Sequence, residues 1–388
     1  MRTNCRIPFG DLRIGPLARA KMAEALDRNF VTEGPNVAEF ERRYAEKFGW
    51  RHAIATSSGT TAGEVAWAAV RGTYQKDGFG SSVITPACAF VATANCLFAA
   101  RLNPVFCDIN LATLNLDIKS QSMLAKEKGD ELLGVQFVMT MGNPHDVDNI
   151  VVRHERSETR GLIPFPVVID ACEAHGATLL NGRRADRYGI AAIYSFYPAH
   201  LIVGGEGGII CTDDDEIAGL CRSIKSHGRP MGSNFFDFQR AGFNAKWNDL
   251  CAIIALESLE KFDETFAKRR EVRAKLIRAL EPFEDELILY RDAPGEVIAP
   301  HAFPVVLRDE GADVMPLYRH LERAGLEVKT LFGSLPTQHG AFAFMGHRLG
   351  DFPVAERIGR MGLHFGCHEY MTLEDVDHIA QTFVRYFQ

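Results

Sequence analysis

The sequence predicts an α/β fold, with a mainly parallel, doubly wound sheet in a large domain and a smaller C-terminal α+β domain. Three observations carry that expectation. Between residues 52 and 212, short apolar runs of strand composition alternate with amphipathic helical stretches, the pattern of a sheet covered on both faces. Several of those runs stop at a polar residue or a Gly-Ser-Thr turn, and open α/β sheets gather ligands at the carboxyl ends of their strands. From about residue 251 the pattern changes to the charged helical stretch LESLEKFDETFAKRREVRAKLIRALEPF, then to mixed strands and helices. A chain of 388 residues is long enough for two domains. The expected division is 1–250, with an N-terminal helical segment, and 251–388.

Composition narrows the functional classes. Hydrophobic residues make up 46% of the chain and charged ones 24%, ordinary values for a soluble globular enzyme. A formal net charge of −7 without a basic cluster argues against a nucleic-acid surface. No apolar run approaches the roughly 20 residues of a membrane span, so no membrane partner is expected. The opening MRTNCRIPFGDLRIG lacks the basic-then-apolar order of a secretory signal. Nine cysteines form no C-x-x-C pair, and most sit in apolar runs, where a thiol acts as a small hydrophobe. A reducing cytoplasm is the compartment implied, and no metal site is expected.

Taken in order, LARAKMAEALDRNF and VAEFERRYAEKFG carry apolar residues at helical spacing on either side of the breaker VTEGPN. HAIAT from His52 reads as a strand, SSGTT as a turn, and TAGEVAWAAVRG as the helix that follows. That arrangement aims backbone N–H groups and hydroxyls at an anion, which makes Gly59 and Thr60 candidate phosphate ligands. Ser and Thr also cap helices that bind nothing. SSVITPACAFVATANCLFAA gives a strand ending at Thr85-Pro86 and a helix from near Ala89, with Phe90 at the junction. Residues 102–107 and LLGVQFVMT are further strands, while the charged NIVVRHERSETRGLIPF reads as a helix and a surface loop. GIICTDDDEIAGLCRSIKSHGRP is a strand, an Asp-rich helix start suited to the macrodipole, and a helix ending at His227-Gly228.

The stretch around which the chain is organised runs from 167 to 208. VVIDACEAHGA delivers Asp170 at the end of a buried-strand run, with Glu173 just beyond it. IAAIYSFYPAHLIVGGEGG ends a second run at Ser195 and carries His200 in the loop after it. In an open parallel sheet Asp170, Ser195 and His200 would face one crevice. A buried carboxylate is costly without a partner, so Asp170 needs a cation, a helix N-terminus or a protonated ligand.

These motifs resemble the fold-type I, pyridoxal-phosphate-dependent sugar aminotransferase family of the DegT/StrS type. In that family D-x-A/C-x-A-x-G holds the aspartate that pairs with the pyridine nitrogen. S-F-x-x-x-K followed by G-[DE]-G-G brings the Schiff-base lysine. His200 stands at the lysine position here, and no lysine occurs between Lys128 and Lys225, so no near neighbour replaces it. SFYPAH before GEGG is similar to the branch that carries histidine there, the nucleotide-sugar 3-dehydratases. One departure is Leu201, where that branch usually has a second histidine.

The resemblance implies a seven-stranded sheet and a cofactor, pyridoxal or pyridoxamine phosphate. It assigns the phosphate to the turn at Gly59 and Thr60, and ring stacking to Phe90 within TPACAFVATAN. Asp170 would keep the pyridine nitrogen protonated, Glu173 would stand near the ring hydroxyl or else simply start a helix, and Ser195 would line the cofactor site. Asn244, in GFNAKWND, would reach the cofactor phosphate of a partner subunit, which implies a homodimer with shared active sites. VKTLFGSLPTQHGAF matches the branch's substrate loop only over its L-F-G core. A histidine cannot hold the cofactor in a stable covalent bond, but its pKa near working pH suits the removal and return of a proton.

The implied reaction is loss of the C3 hydroxyl from a nucleotide-linked 4-keto-6-deoxyhexose, GDP-4-keto-6-deoxymannose in particular. The branch members that carry an iron–sulfur cluster group three cysteines before the G-x-N segment. This chain has none between His227 and Asn244, so the cluster-free kind, with L-glutamate as amino donor, is expected. Two other readings remain open: a sugar aminotransferase of the same fold, and a cofactor-binding regulator without turnover.

Overall fold

The computed structural model describes residues 5–150, 153–155, 162–180, 182–230 and 236–388. Its strands in chain order are β1 (His52–Thr56), β2 (Ser82–Pro86), β3 (Asn103–Cys107), β4 (Leu132–Val138), β5 (Arg153–Glu155), β6 (Leu162–Pro164), β7 (Val167–Asp170), β8 (Ala191–Ser195) and β9 (Gly208–Thr212). Four more follow: β10 (Leu287–Leu289), β11 (Ala302–Leu307), β12 (Val328–Thr330) and β13 (Gly362–Gly366). The helices are α1 (Pro16–Asp27), α2 (Pro35–Phe48), α3 (Gly59–Tyr74), α4 (Ala92–Ala99), α5 (Ile118–Lys128), α6 (Asp215–Ile224), α7 (Asp249–Glu260) and α8 (Phe262–Leu280). They continue with α9 (Met315–Arg323), α10 (Leu335–Gln338), α11 (Pro353–Met361) and α12 (Leu373–Phe387).

Seven strands form the main sheet in the order β1-β9-β8-β7-β4-β2-β3. Only β9 runs against its neighbours, pairing antiparallel with β1 and β8, so the expected mainly parallel sheet is present. Strands β2, β4, β7 and β9 are buried along their whole length. Burial on both faces is why they read as continuous apolar runs rather than alternating ones. A second sheet, β10-β11-β13-β12, is antiparallel throughout. Each sheet anchors its own apolar core, and the second core also takes in Ile7 and Phe9. Ile7 exchanges backbone hydrogen bonds with Gly325 and Glu327, which ties the N-terminal residues to the C-terminal half.

Local sequence accounts for the helix ends. Val37, Phe40, Tyr44 and Phe48 recur on one face of α2 and are buried. Phe40 packs edge-on against Phe196 and Trp247, so α2 covers the loop that carries His200. The helix stops at Gly49 in the left-handed conformation, φ 66°, where glycine has no Cβ to clash. Ser58 and Thr61 form a reciprocal capping box at the start of α3.

Three expectations are corrected. Residues 153–155 and 162–164, read as part of a helix and loop, instead pair as a two-stranded antiparallel ladder. Helix α4 starts at Ala92, not near Ala89. The charged stretch read as one helix is two, parted at Lys261. Its first part buries Leu256, Leu259 and Phe262 in the main core, whereas Val272, Leu276 and Leu280 of α8 belong to the second. One straight helix could not turn its apolar stripe toward both.

Candidate active site

A cavity of about 500 Å³ lies at the carboxyl ends of β4, β7 and β8, closed from the other side by β12 and β13. That volume suits a small organic ligand. Of the residues singled out in the sequence, Gly59, Thr60, Phe90, Asp170, Glu173, Ser195 and His200 all line it. Asn244 does not. It is exposed, bridges to Ser226, and accepts a hydrogen bond from the Lys246 N–H at 3.3 Å. Its neighbour Ala245 accepts from the Ser57 N–H at 3.0 Å, so the segment flanks the turn at 57–60 without entering the cavity.

The turn at 57–60 is shaped for an anion. Ser58 Oγ accepts the Thr61 N–H at 3.1 Å, and the N–H groups of Gly59 and Thr60 fall in the first helical turn, where no intrahelical acceptor exists. Glycine is required at 59 because a Cβ there would stand 2.7 Å from Ser195 Cβ and 3.1 Å from Cys172 Sγ. The close approach of α3 to β8 thus leaves backbone, not side chain, facing the ligand.

Asp170 sits where β7 ends, between β4 and β8. The Thr93 hydroxyl donates to Oδ2 at 3.1 Å and the Cys172 N–H to Oδ1 at 3.2 Å. Neither partner carries charge. Burial accordingly pushes the Asp170 carboxyl above its ordinary value, against the pull of the Cys172 thiol and those two bonds. A buried carboxylate with neutral neighbours, facing a cavity, is complementary to a protonated ring nitrogen. The donor set therefore fits a pyridine-type cofactor with its phosphate on the start of α3. Phe90 stands at the mouth, 59% exposed, with its ring edge-on to Phe332 at 6.0 Å.

His200 is buried among groups that disfavour its cation. Desolvation, then Arg269 and Lys329, lower its pKa to about 3. Arg269 reaches up from α8 to donate to the carbonyls of Ala199 and His200 at 3.0 and 3.1 Å, and pairs with Glu369 at 2.7 Å. This guanidinium holds the loop in place. Glu173 accepts the Met141 N–H at 2.6 Å and lies 3.5 Å from His301; burial raises it to about 8.

The DegT/DnrJ/EryC1/StrS aminotransferase family matches residues 13–384. The chain belongs to that family. It is a pyridoxal-phosphate-dependent family, and the cofactor fits the donors described above. The chain is similar to GDP-perosamine synthase of Caulobacter vibrioides, 28% identical over 379 residues and 96% of each chain. It is equally similar to GDP-4-keto-6-deoxy-D-mannose 3-dehydratase of Yersinia pseudotuberculosis, 28% identical over 375 residues, covering 91% of this chain and 92% of the relative. A solved structure, the E. coli GDP-4-keto-6-deoxy-D-mannose-3-dehydratase with bound hydrated PLP, has a TM-score of 0.85 at 24% identity. The match covers 97% of this chain and 99% of that one, a likeness of fold.

For a member of this family, the second sheet adds residues that sequence reasoning missed. His301, immediately before β11, His364 on β13, Lys329 on β12 and Phe9 all line the cavity. Lys329 brings a lysine distant in sequence into the cavity that His200 lines: its Nζ lies 4.1 Å from the Phe9 ring centre and 6.0 Å from that of Tyr197. The only available signal was VKTLFG, whose resemblance to a substrate loop placed Lys329 near the site. Nothing local to His301 marks it. Among the described residues no group of three or more His, Cys, Asp or Glu is placed to hold a metal, and no helix is long and apolar enough to cross a membrane.

Proposed function

We propose that this chain is a 3-dehydratase of a nucleotide-linked 4-keto-6-deoxyhexose, GDP-4-keto-6-deoxymannose first among candidates, using pyridoxamine phosphate and L-glutamate as amino donor. One observation carries the reading: an imidazole, not an amine, follows β8 and faces the cavity that Asp170 floors. The cofactor would supply an amine for the sugar's keto carbon and a ring able to take up an electron pair. The start of α3 holds its phosphate and Asp170 keeps its ring nitrogen protonated. His200 removes a proton at Nε2 and returns one to the hydroxyl leaving C3, so that one water is lost. Lacking a covalent tether, the cofactor exchanges freely. Asn244, exposed beside the phosphate turn, completes the site of a second copy, so the active form is a homodimer. A cytoplasmic setting suits its nine free thiols, and a dideoxysugar of surface polysaccharide suits the product.

Lys329 favours a second reading, an aminotransferase in which this distant ammonium serves in place of the missing lysine. The test is incubation with pyridoxamine phosphate, L-glutamate and a panel of GDP-, CDP- and dTDP-linked 4-keto-6-deoxy sugars, with products read by mass and NMR. A product lacking the C3 oxygen supports the dehydratase. An amino sugar that retains the C3 oxygen, formed by the wild type and not by Lys329→Met, establishes the aminotransferase. Absence of any turnover returns the chain to the regulator class.

A further inference from the structure

We propose that Glu173, His301 and His200 form a proton relay in which the proton taken up at His200 comes to rest on Glu173. The relay rests on the acid–base role given to His200 above. Its three members come from separate elements: the turn after β7, the approach to β11, and the loop after β8. Nδ1 of His200 lies 3.3 Å from Nδ1 of His301. Nε2 of His301 lies 3.5 Å from Oε1 of Glu173, and the other carboxyl oxygen is occupied by the Met141 N–H at 2.6 Å. The remaining nitrogen, Nε2 of His200, belongs to a ring that lines the cavity.

An Nδ1-to-Nδ1 contact admits only one hydrogen, so the two rings must hold complementary tautomers. With Glu173 ionised, His301 carries its hydrogen on Nε2, facing the carboxylate across 3.5 Å, a gap that a small shift of the ring closes into a hydrogen bond. Its Nδ1 is then a lone pair that accepts Nδ1–H from His200, which leaves Nε2 of His200 bare and basic. When a proton arrives at that nitrogen, the Nδ1–H of His200 passes to His301, and the Nε2–H of His301 passes to Oε1 of Glu173. One proton has entered and one rests on the carboxyl. Both end states contain two neutral imidazoles. The reverse sequence delivers a proton from Nε2 of His200 to the departing hydroxyl.

The surroundings explain why a lone histidine would fail here. His200 faces Arg269 from α8, Lys329 from β12 and the Tyr197 ring from its own loop, with His175 behind it. His301 faces His364 and the edge of Phe9. Desolvation and these cations hold His200 at about 3 and His301 well below its ordinary value. An imidazolium is therefore a poor resting place for a proton. Glu173, raised by burial to about 8 and facing the Asp170 carboxyl, is a good one. A general base works best with a pKa near the operating pH, and the relay gives Nε2 of His200 the proton affinity of Glu173.

The test uses the full chain with 15N-labelled histidine, first without cofactor, and reads each ring's tautomer from its two-bond nitrogen–proton correlations. His200 is expected to change from the Nε2–H to the Nδ1–H form as pH rises through about 8. The isosteric Glu173→Gln variant should hold it in one tautomer at every pH, and His301→Phe should uncouple it. In the loaded enzyme, water loss should rise with pH through the same region and fall about 100-fold or more in both variants, with partial recovery in Glu173→Asp. A tautomer that ignores pH, or one that switches unchanged in Glu173→Gln, overturns the relay. A normal tautomer switch without water loss from any sugar supports the relay and overturns the dehydratase assignment.

Discussion

Replacing Asp170 by Asn should have opposite effects on the cofactor-free protein and on its affinity for the cofactor. The substitution keeps the shape, the acceptor for the Cys172 N–H and a partner for the Thr93 hydroxyl, and removes only the charge. Without cofactor that charge is buried, 8% exposed, beside two neutral donors. Its folded pKa is raised above the unfolded value, so the carboxylate destabilises the empty protein above the ordinary Asp range. That penalty disappears as pH falls through the folded pKa. An incompletely compensated buried charge costs about 1–3 kcal/mol. With an unfolding entropy of roughly 2 cal/mol/K per residue, the empty variant should melt about 1–4 °C higher. The loaded protein loses a buried ion pair to the ring nitrogen, for which breaking one partner costs about 3–5 kcal/mol, or a Kd for pyridoxal phosphate weaker by about 10²- to 4 × 10³-fold. Differential scanning fluorimetry and fluorescence titration measure the two effects. If the empty Asp170→Asn variant melts lower and binds cofactor as before, Asp170 is a structural anchor and the cofactor assignment fails.

Substituting His200→Lys should create a borohydride-reducible covalent link to pyridoxal phosphate, visible as a mass increase, and abolish water loss; undiminished water loss would remove His200 from the mechanism. Gly59→Ala forces a Cβ to within 2.7 Å of Ser195 Cβ, an overpacking cost of about 1–3 kcal/mol. It should weaken cofactor binding and its competition by inorganic phosphate, and unchanged affinity would place the phosphate elsewhere. Arg269→Met strips the buried guanidinium from two carbonyls and leaves Glu369 unpaired. A loss of about 3–5 kcal/mol in urea unfolding is expected, and an unchanged midpoint would show that the His200 loop holds itself.

Most of the main sheet could be read directly, because its strands are short, apolar and closed by turn residues. HAIAT, SVITP and VVID each lie within a residue or two of where they were expected. The same holds for Asp170, Ser195 and His200: once the sheet is parallel, strand ends converge and so do they. Where charge stands in for periodicity the reading failed. RHE and LIP pair as a ladder although the surrounding arginines and glutamates suit a helix, since pairing depends on a partner strand more than on composition. Lys261 parts two helices for a similar reason, because the apolar stripe changes the core it serves.

The amino-acid order by itself determined the strand pattern, the Ser-Gly-Thr turn that opens α3, the buried aspartate and the imidazole where a lysine would be expected. All of these follow from residues within a few positions of one another. Only the tertiary structure decided what that imidazole meets. His301 lies 101 positions away and Lys329 lies on a strand of the other sheet, and packing of the second sheet over the strand ends brings both into the cavity. It also decided the protonation chemistry, because desolvation and the Arg269 and Lys329 charges act through space, and no local pattern records them.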